Sequence, residues 1–462
     1  MVFVAAALLS SFLNTSNRAL PATRLTVPSW LWPAYCVVGL VLFWPALSIG
    51  FLSDDFVLAQ RALAWNVGAI GPAFWRPLPL LLWGGILRIG GGAATLHLLN
   101  VLLHGTNAFL TARMVASWAR DRGAGLLAGL LVLTCPISAE AVVWCSGVFD
   151  VLTTTLILLC VAASRAYDAT PTRLQRVAFF LAGLAAVLSK ETGVLAGALV
   201  LLNGWIGQSQ TRASRRDAWI LLVVDAAFGL VRWAIAASVV GRPITRYVLQ
   251  RWLFGTFGAV AVPWHVDVID GIPWLSMVGS AAVIILVGLY AIPVRTKGRA
   301  PIRSVLGAMG WVLVGTAPTL TFLFVSPDLQ NSRYVYQSIV GWAGLMVLLC
   351  ANHGSSSRLP IFQQALIVVL ILLGGLGIRL HLGPWQAAAA MRDEVENAAG
   401  SDPRMRACGV VSLAELPDSI RGAYVFRNGV EGAFSQAIGL TVAPARADCE
   451  FYWDGHSFHS HR

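Results

Sequence analysis

The chain has 462 residues, 57% hydrophobic and 12% charged, with a formal net charge of +11 and a mean hydropathy of +0.71. A soluble domain must wet its own exterior and has no place for so much apolar surface, so the composition excludes an ordinary globular protein and points to a membrane. Nucleic acid is not the partner that the basic balance implies, because the arginines fall mostly in short loops between apolar runs, where they set orientation in a bilayer.

The first residues, 1–13, are apolar but lack a basic start and a small-residue cleavage site, which argues against a cleaved signal peptide. Apolar runs long enough to cross a bilayer follow at roughly 30–51, 95–117, 123–139, 147–163, 175–189, 192–207, 217–240, 272–293, 303–325, 334–351 and 360–382. At about 20 residues per crossing, they predict about eleven transmembrane helices. The apolar stretch 76–89 is interrupted by Pro77, Pro79 and Arg88. It reads as a helix lying in the interface or dipping into it, with a true span as the alternative.

Arginine-bearing loops (Arg18 and Arg24, then 113–122, 165–176, 212–216, 295–303 and Arg358) alternate with poorer ones. The positive-inside rule makes them cytoplasmic, which gives a cytoplasmic N-terminus and an external C-terminus. The expected organisation is a cytoplasmic segment 1–29, a transmembrane domain 30–382 with an external loop 52–94, and a small external domain 383–462. The fold class is then an all-α polytopic membrane protein with a mixed α/β C-terminal domain, whose short strand-like runs include 409–413 and 423–427. Of seven cysteines, five sit in or beside apolar runs and read as small hydrophobes. Cys408 and Cys449 lie in the polar tail, where a disulfide would stabilise a domain too small for a large core; two unpaired thiols are the alternative.

This topology gathers chemistry on the external side. Asp54 and Asp55 follow the first span directly, and two carboxylates between Leu52 and Phe56 are costly near lipid unless they serve a purpose. Helix capping is their ordinary reading; a general base for a hydroxyl acceptor is the functional one. Arg76, Glu140, Lys190, Glu191, Arg333 and Tyr334 share that face. Lys190-Glu191 reads as a local ion pair or a phosphate site, and Asp150 as a satisfied polar group or a partner for Arg76. His97, Asn100 and His104 recur at helical spacing on one face, where packing by hydrogen bonds competes with a ligand role. Trp65, Trp75 and Trp144 suit sugar stacking, although tryptophans are expected at any membrane interface. No Cys/His spacing indicates a metal.

The order of a first span, DDF at 54–56, WRPL at 75–78, HLLNVLLH at 97–104, PxxxEAVxWxxGxxD at 136–150, LSKE at 188–191 and RYVY at 333–336 resembles the membrane half of the transmembrane and tetratricopeptide-repeat O-mannosyltransferases and their bacterial relatives. These belong to the GT-C glycosyltransferases, which use polyprenyl-phosphate-linked sugars. The chain carries no tetratricopeptide repeats, and Val148-Phe149 stand where relatives often place a basic residue before the aspartate. The resemblance implies inverting transfer of a sugar from a polyprenyl-phosphate carrier to a lipid, glycan or protein acceptor. It places the reaction at the external face of a bacterial inner membrane, with mannosyl or another hexosyl transfer the natural expectation. Asp54 or Asp55 would be the base, and Arg76, Lys190 and Arg333 would hold the donor phosphate. Glu140, Glu191, Tyr334, His97 and His104 would position acceptor or sugar. A divalent metal on the two acids stays an option without a commitment. The rival readings are a transporter or flippase of lipid-linked saccharide, which needs broken helices and polar groups at the bilayer midplane, and a non-catalytic membrane assembly factor.

Overall fold

A computed structural model describes residues 27–69, 74–207, 210–236, 245–261, 302–320, 325–326, 328–350, 361–443 and 447–460. The chain is mostly helical. In order come α1 (Trp32–Phe43), α2 (Asp54–Leu63), α3 (Pro77–Arg88), α4 (Ala93–Ala119), α5 (Arg122–Leu133), α6 (Ala139–Val143), α7 (Val148–Ala169), α8 (Arg173–Ser189), α9 (Ala196–Gly207), α10 (Arg212–Ala236), α11 (Arg246–Arg251), α12 (Gly258–Ala261), α13 (Ile302–Thr316), α14 (Ser338–Cys350) and α15 (Ile361–Ser401). Helix thus occupies most of the described part of each apolar run, with breaks at 134–135 and 336–337, while 237–240 and 321–324 lie outside the described residues. The run 272–293 and the first residues, 1–26, lie outside the described residues.

Among the described residues, four helices are long and apolar enough to cross a membrane: Ser29–Ser48, Cys145–Ala169, Arg212–Ile235 and Ala365–Ser401. A fifth arises if Arg122–Leu133 and Pro136–Val143, bent by 50°, form one broken span. The bend has a cause in Pro136, which brings no N–H to the helical ladder. Helix α10 turns Trp219, Val223, Leu230, Val231 and Trp233 outward, a surface that lipid can cover and water cannot. With 12 residues, α3 is only about 18 Å long, well short of the roughly 30 Å hydrocarbon core.

Local chemistry sets the turns. The α4–α5 connection places Arg120 in the left-handed region (φ 52°), and the Asp121 carboxylate then caps α5 by accepting from the Ala124 N–H at 2.7 Å. A Cβ on Gly125 would sit 2.4 Å from the Ala112 carbonyl oxygen, so the small residue is what lets the two helices close. Helix α8 starts with a reciprocal capping box between Thr172 and Gln175, which satisfies two otherwise orphaned N–H groups.

Helix α15 runs 41 residues to Ser401 with Pro384 inside it. It therefore passes unbroken through 382/383, where the composition changes and a domain boundary was expected. The polar stretch that follows, QAAAAMRDEVENAAGS, is rich in strong helix formers, so polarity changes there without a change of secondary structure. Beyond it lie α16 (Pro403–Ala407), β1 (Val411–Ala414), β2 (Ser419–Ile420), β3 (Ala423–Tyr424), α17 (Val430–Ile438), β4 (Cys449–Trp453) and β5 (Phe458–Ser460). Strand β4 is central, parallel to β1 and antiparallel to β5, while β2 and β3 form a separate antiparallel pair. Cys408 and Cys449 are joined as a disulfide with their Cα atoms 6.2 Å apart, tying the end of α16 to the start of β4.

Candidate functional site

The acidic pair divides into two different groups. Ser53, at φ 51°, turns the chain into α2, and both aspartates fall in the first helical turn, where the helix dipole favours negative charge. Asp55 points inward and is 0% exposed. Its carboxylate accepts from the Leu52 N–H at 3.0 Å and the Ser146 N–H at 2.8 Å, and also from the Ser146 hydroxyl. Burial pushes the Asp55 carboxyl up to about 7, against the opposing pull of those donors. Asp54 stays half-buried, and its Oδ1 accepts from Nδ2 of Asn428 at 2.6 Å.

The loop before the pair is pinned from several distant elements. Arg392 of α15 donates to the Ile49 and Phe51 carbonyls at 2.9 and 2.7 Å. His97 lies 3.0 Å from the Gly50 carbonyl. Trp144 donates its indole N–H to the Leu52 carbonyl at 3.1 Å. The Ser53 N–H donates to the Val425 carbonyl at 3.0 Å, and the Asn428 N–H donates to the Ser53 hydroxyl at 3.2 Å. Three of these partners, Arg392, Val425 and Asn428, come from the last fifth of the chain and carried no functional signal in the sequence. Asn428-Gly429 is legible there only as a turn.

The expected phosphate-binding cations are all present, each with a carboxylate partner. Arg76 makes a two-pronged contact with Glu191 at 2.7–3.1 Å, and Arg232 approaches the same acid at 3.6 Å. Lys190 pairs with Asp150 and sits 4.4 Å from the Tyr334 ring centre. Arg333 pairs with Glu140, whose other oxygen accepts from the Arg333 N–H at 3.1 Å and the Ser332 hydroxyl at 3.2 Å. Thus Lys190-Glu191 is not a local ion pair, and Asp150 partners Lys190 rather than Arg76. Adjacent residues leave the α8–α9 turn in different directions, which sequence adjacency conceals. Four cations (Arg76, Lys190, Arg232, Arg333) face three acids (Asp150, Glu140, Glu191), leaving the cluster positive.

Aromatic rings surround this cluster. The Arg333 guanidinium lies 4.5 Å from Trp144, 4.8 Å from Tyr334 and 5.4 Å from Tyr424. Arg76 lies 5.0 Å from Phe74 and 5.1 Å from Phe149, so Phe149 itself covers a cation. Trp144 is buried and packs 4.7 Å from Tyr424; its indole faces belong to the protein interior rather than to an open sugar platform. Trp65 lies under Arg88 at 5.0 Å, and the Trp75 carbonyl accepts from Arg232 at 2.8 Å. His97 and His104 are buried between helices; His104 lies 2.7 Å from the Tyr336 hydroxyl and 3.3 Å from the Leu133 carbonyl. Both fit the packing alternative, and Asn100 likewise donates to the Trp144 carbonyl at 2.7 Å.

A metal shared by the acidic pair does not fit this arrangement. The Asp55 oxygens are taken up by three donors inside the fold, while Asp54 turns toward Asn428, so the two carboxylates do not converge. Among the described residues, no group of three or more His, Cys, Asp or Glu side chains is placed to hold a metal ion.

No known protein-family model matches the chain. The site offers one half-buried carboxylate in the first turn of α2, behind a loop held by several distant elements, and a partly accessible, net-positive cluster joined to that loop through Trp144 and Tyr424.

Proposed function

We propose that the chain is a GT-C-type membrane glycosyltransferase that passes a sugar from a polyprenyl-phosphate carrier to an acceptor hydroxyl. The observation that carries the reading is the state of Asp54. Its neighbour is consumed by the fold, whereas Asp54 keeps an accessible carboxylate on a loop held from four directions. In the proposed step the acceptor O–H proton moves to Asp54 as the acceptor oxygen bonds to C1 of the sugar. The C1–O bond to the lipid phosphate breaks, its electron pair stays with the phosphate, and configuration inverts. The surplus positive charge around Arg76, Lys190 and Arg333 stabilises the departing phosphate, with Arg suited to two-pronged contact. Glu140, Glu191 and Tyr334 hold those cations in place.

The same reading takes the apolar runs as about eleven spans, with the site and the C-terminal segment on the periplasmic face of a bacterial inner membrane. One observation favours the second reading, a flippase or inert assembly factor: every cation of the cluster already has a protein carboxylate. Transfer from a radiolabelled polyprenyl-phosphate sugar by the purified protein separates the two. The enzyme releases lipid phosphate and labels the acceptor. A flippase moves labelled lipid across vesicles without cleaving it, and an assembly factor does neither.

A further inference from the structure

Residues 423–432 cross from the cationic cluster to the acidic loop. At one end, Tyr424 packs on Trp144 at 4.7 Å, lies against Arg333, and donates its hydroxyl to Asn331 at 3.1 Å. At the other end, the backbone is fastened to Ser53 through Val425 and Asn428. Gly429, at φ +78°, comes so close that a Cβ there would lie 2.4 Å from the Ser53 carbonyl oxygen. A side chain at that position is excluded both by strain and by contact. Helix α17 continues along α2, where a Cβ on Gly432 would meet Phe56 and Gln60 at 3.0 Å. The carboxamide of Asn428 is thus delivered to Asp54 by a backbone with little freedom, and it engages one oxygen, Oδ1, at 2.6 Å.

We infer that Asn428 is a positioning residue for Asp54, fixing its carboxylate through Oδ1 so that Oδ2 is aimed at the acceptor, and that the C-terminal segment completes the reacting centre. The inference rests on the transferase reading above. A carboxylate free to rotate spreads its proton-accepting lone pairs over many directions. One held by a donor on a fixed backbone does not, and misplacement on the order of 1 Å costs about 10²-fold in rate.

The test uses the full-length protein in detergent or nanodiscs, with a polyprenyl-phosphate sugar as donor. Asn428→Ala is expected to lower kcat about 10²-fold while donor KM stays within about twofold. Asn428→Asp keeps the size of the side chain and places a second carboxylate against the first. Like charges at that distance cannot both ionise, so the acidic limb of the kcat/KM profile moves up by at least about one pH unit. A merely structural contact would leave kcat of the folded alanine variant at the wild-type value. If the alanine variant does not fold, Asn428→Asp assayed above its shifted limb carries the result: with both acids ionised and the amide donor gone, kcat is expected to stay well below wild type, and a wild-type plateau counts against positioning. Folded variants with wild-type kcat and an unmoved limb, beside an inactive Asp54→Asn, overturn the inference alone. A wild-type protein without transfer, or a fully active Asp54→Asn, overturns the transferase reading and this inference with it.

Discussion

The two aspartates sit side by side in sequence and do opposite things. Asp55 answers three buried donors, so Asp55→Ala leaves the Leu52 and Ser146 N–H groups and the Ser146 hydroxyl without an acceptor. An unsatisfied buried donor costs about 1–3 kcal/mol, and a lowered Tm in detergent is the expected result, whereas Asp54→Asn leaves Tm near the wild-type value. Asp55 also makes stability depend on pH. With its carboxyl raised to about 7 by burial, against about 4 in an unfolded chain, the folded state holds a proton that the unfolded state lacks between those values. This stabilisation is complete below about pH 4 and is lost as pH rises through about 7. A Tm-versus-pH series should show that decline in the wild type and its absence in Asp55→Ala. The pair as a feature was legible in the sequence. Its division was not, because Asp55 is defined by Ser146 and Asp54 by Asn428, both far away along the chain.

At the scale of elements, the helices were legible because apolar runs of near-spanning length leave a lipid-exposed or buried helix as the natural state. The short β runs of the tail were also written in local chemistry, whereas the bend at Pro136 falls inside what reads in the sequence as the single run 123–139. The continuation of α15 past 382 was not. Its run of helix formers persists while its polarity changes, so composition marks a boundary there that the backbone does not have. That extension has a consequence, since it carries Arg392 to the carbonyls of Ile49 and Phe51. Arg392→Ala frees both carbonyls and loosens the loop that presents Asp54. The expected outcome is a fall in kcat of about 10-fold or more, with partial rescue by added guanidinium, measured in the transfer assay. Unchanged kcat would mean that His97, Trp144 and the tail hold the loop without it.

At the scale of the whole molecule, long-range pairs stitch the chain end to end. Arg76 reaches Glu191, Glu140 reaches Arg333, and Asn428 reaches Asp54, across 115, 193 and 374 residues. Loop charge alternation placed Asp54, Arg76, Glu140, Glu191 and Arg333 on one predicted face, which is why these five stood out together, whereas Asn428 did not. It could not choose their partners, because pairing depends on which helices pack and how each turn directs its side chains. The composite is a half-buried carboxylate at the start of α2 and a net-positive, aromatic-lined cluster, linked to each other through Trp144 and the segment from Tyr424 to Asn428. The decisive measurement is sugar transfer from a radiolabelled polyprenyl-phosphate donor by Asp54→Asn compared with wild type, with donor binding measured in parallel. A base contributes about 10²–10⁴-fold. A loss of that size is expected in the variant, with donor binding and Tm retained, and transfer by Asp54→Asn at the wild-type rate would contradict Asp54 as the base.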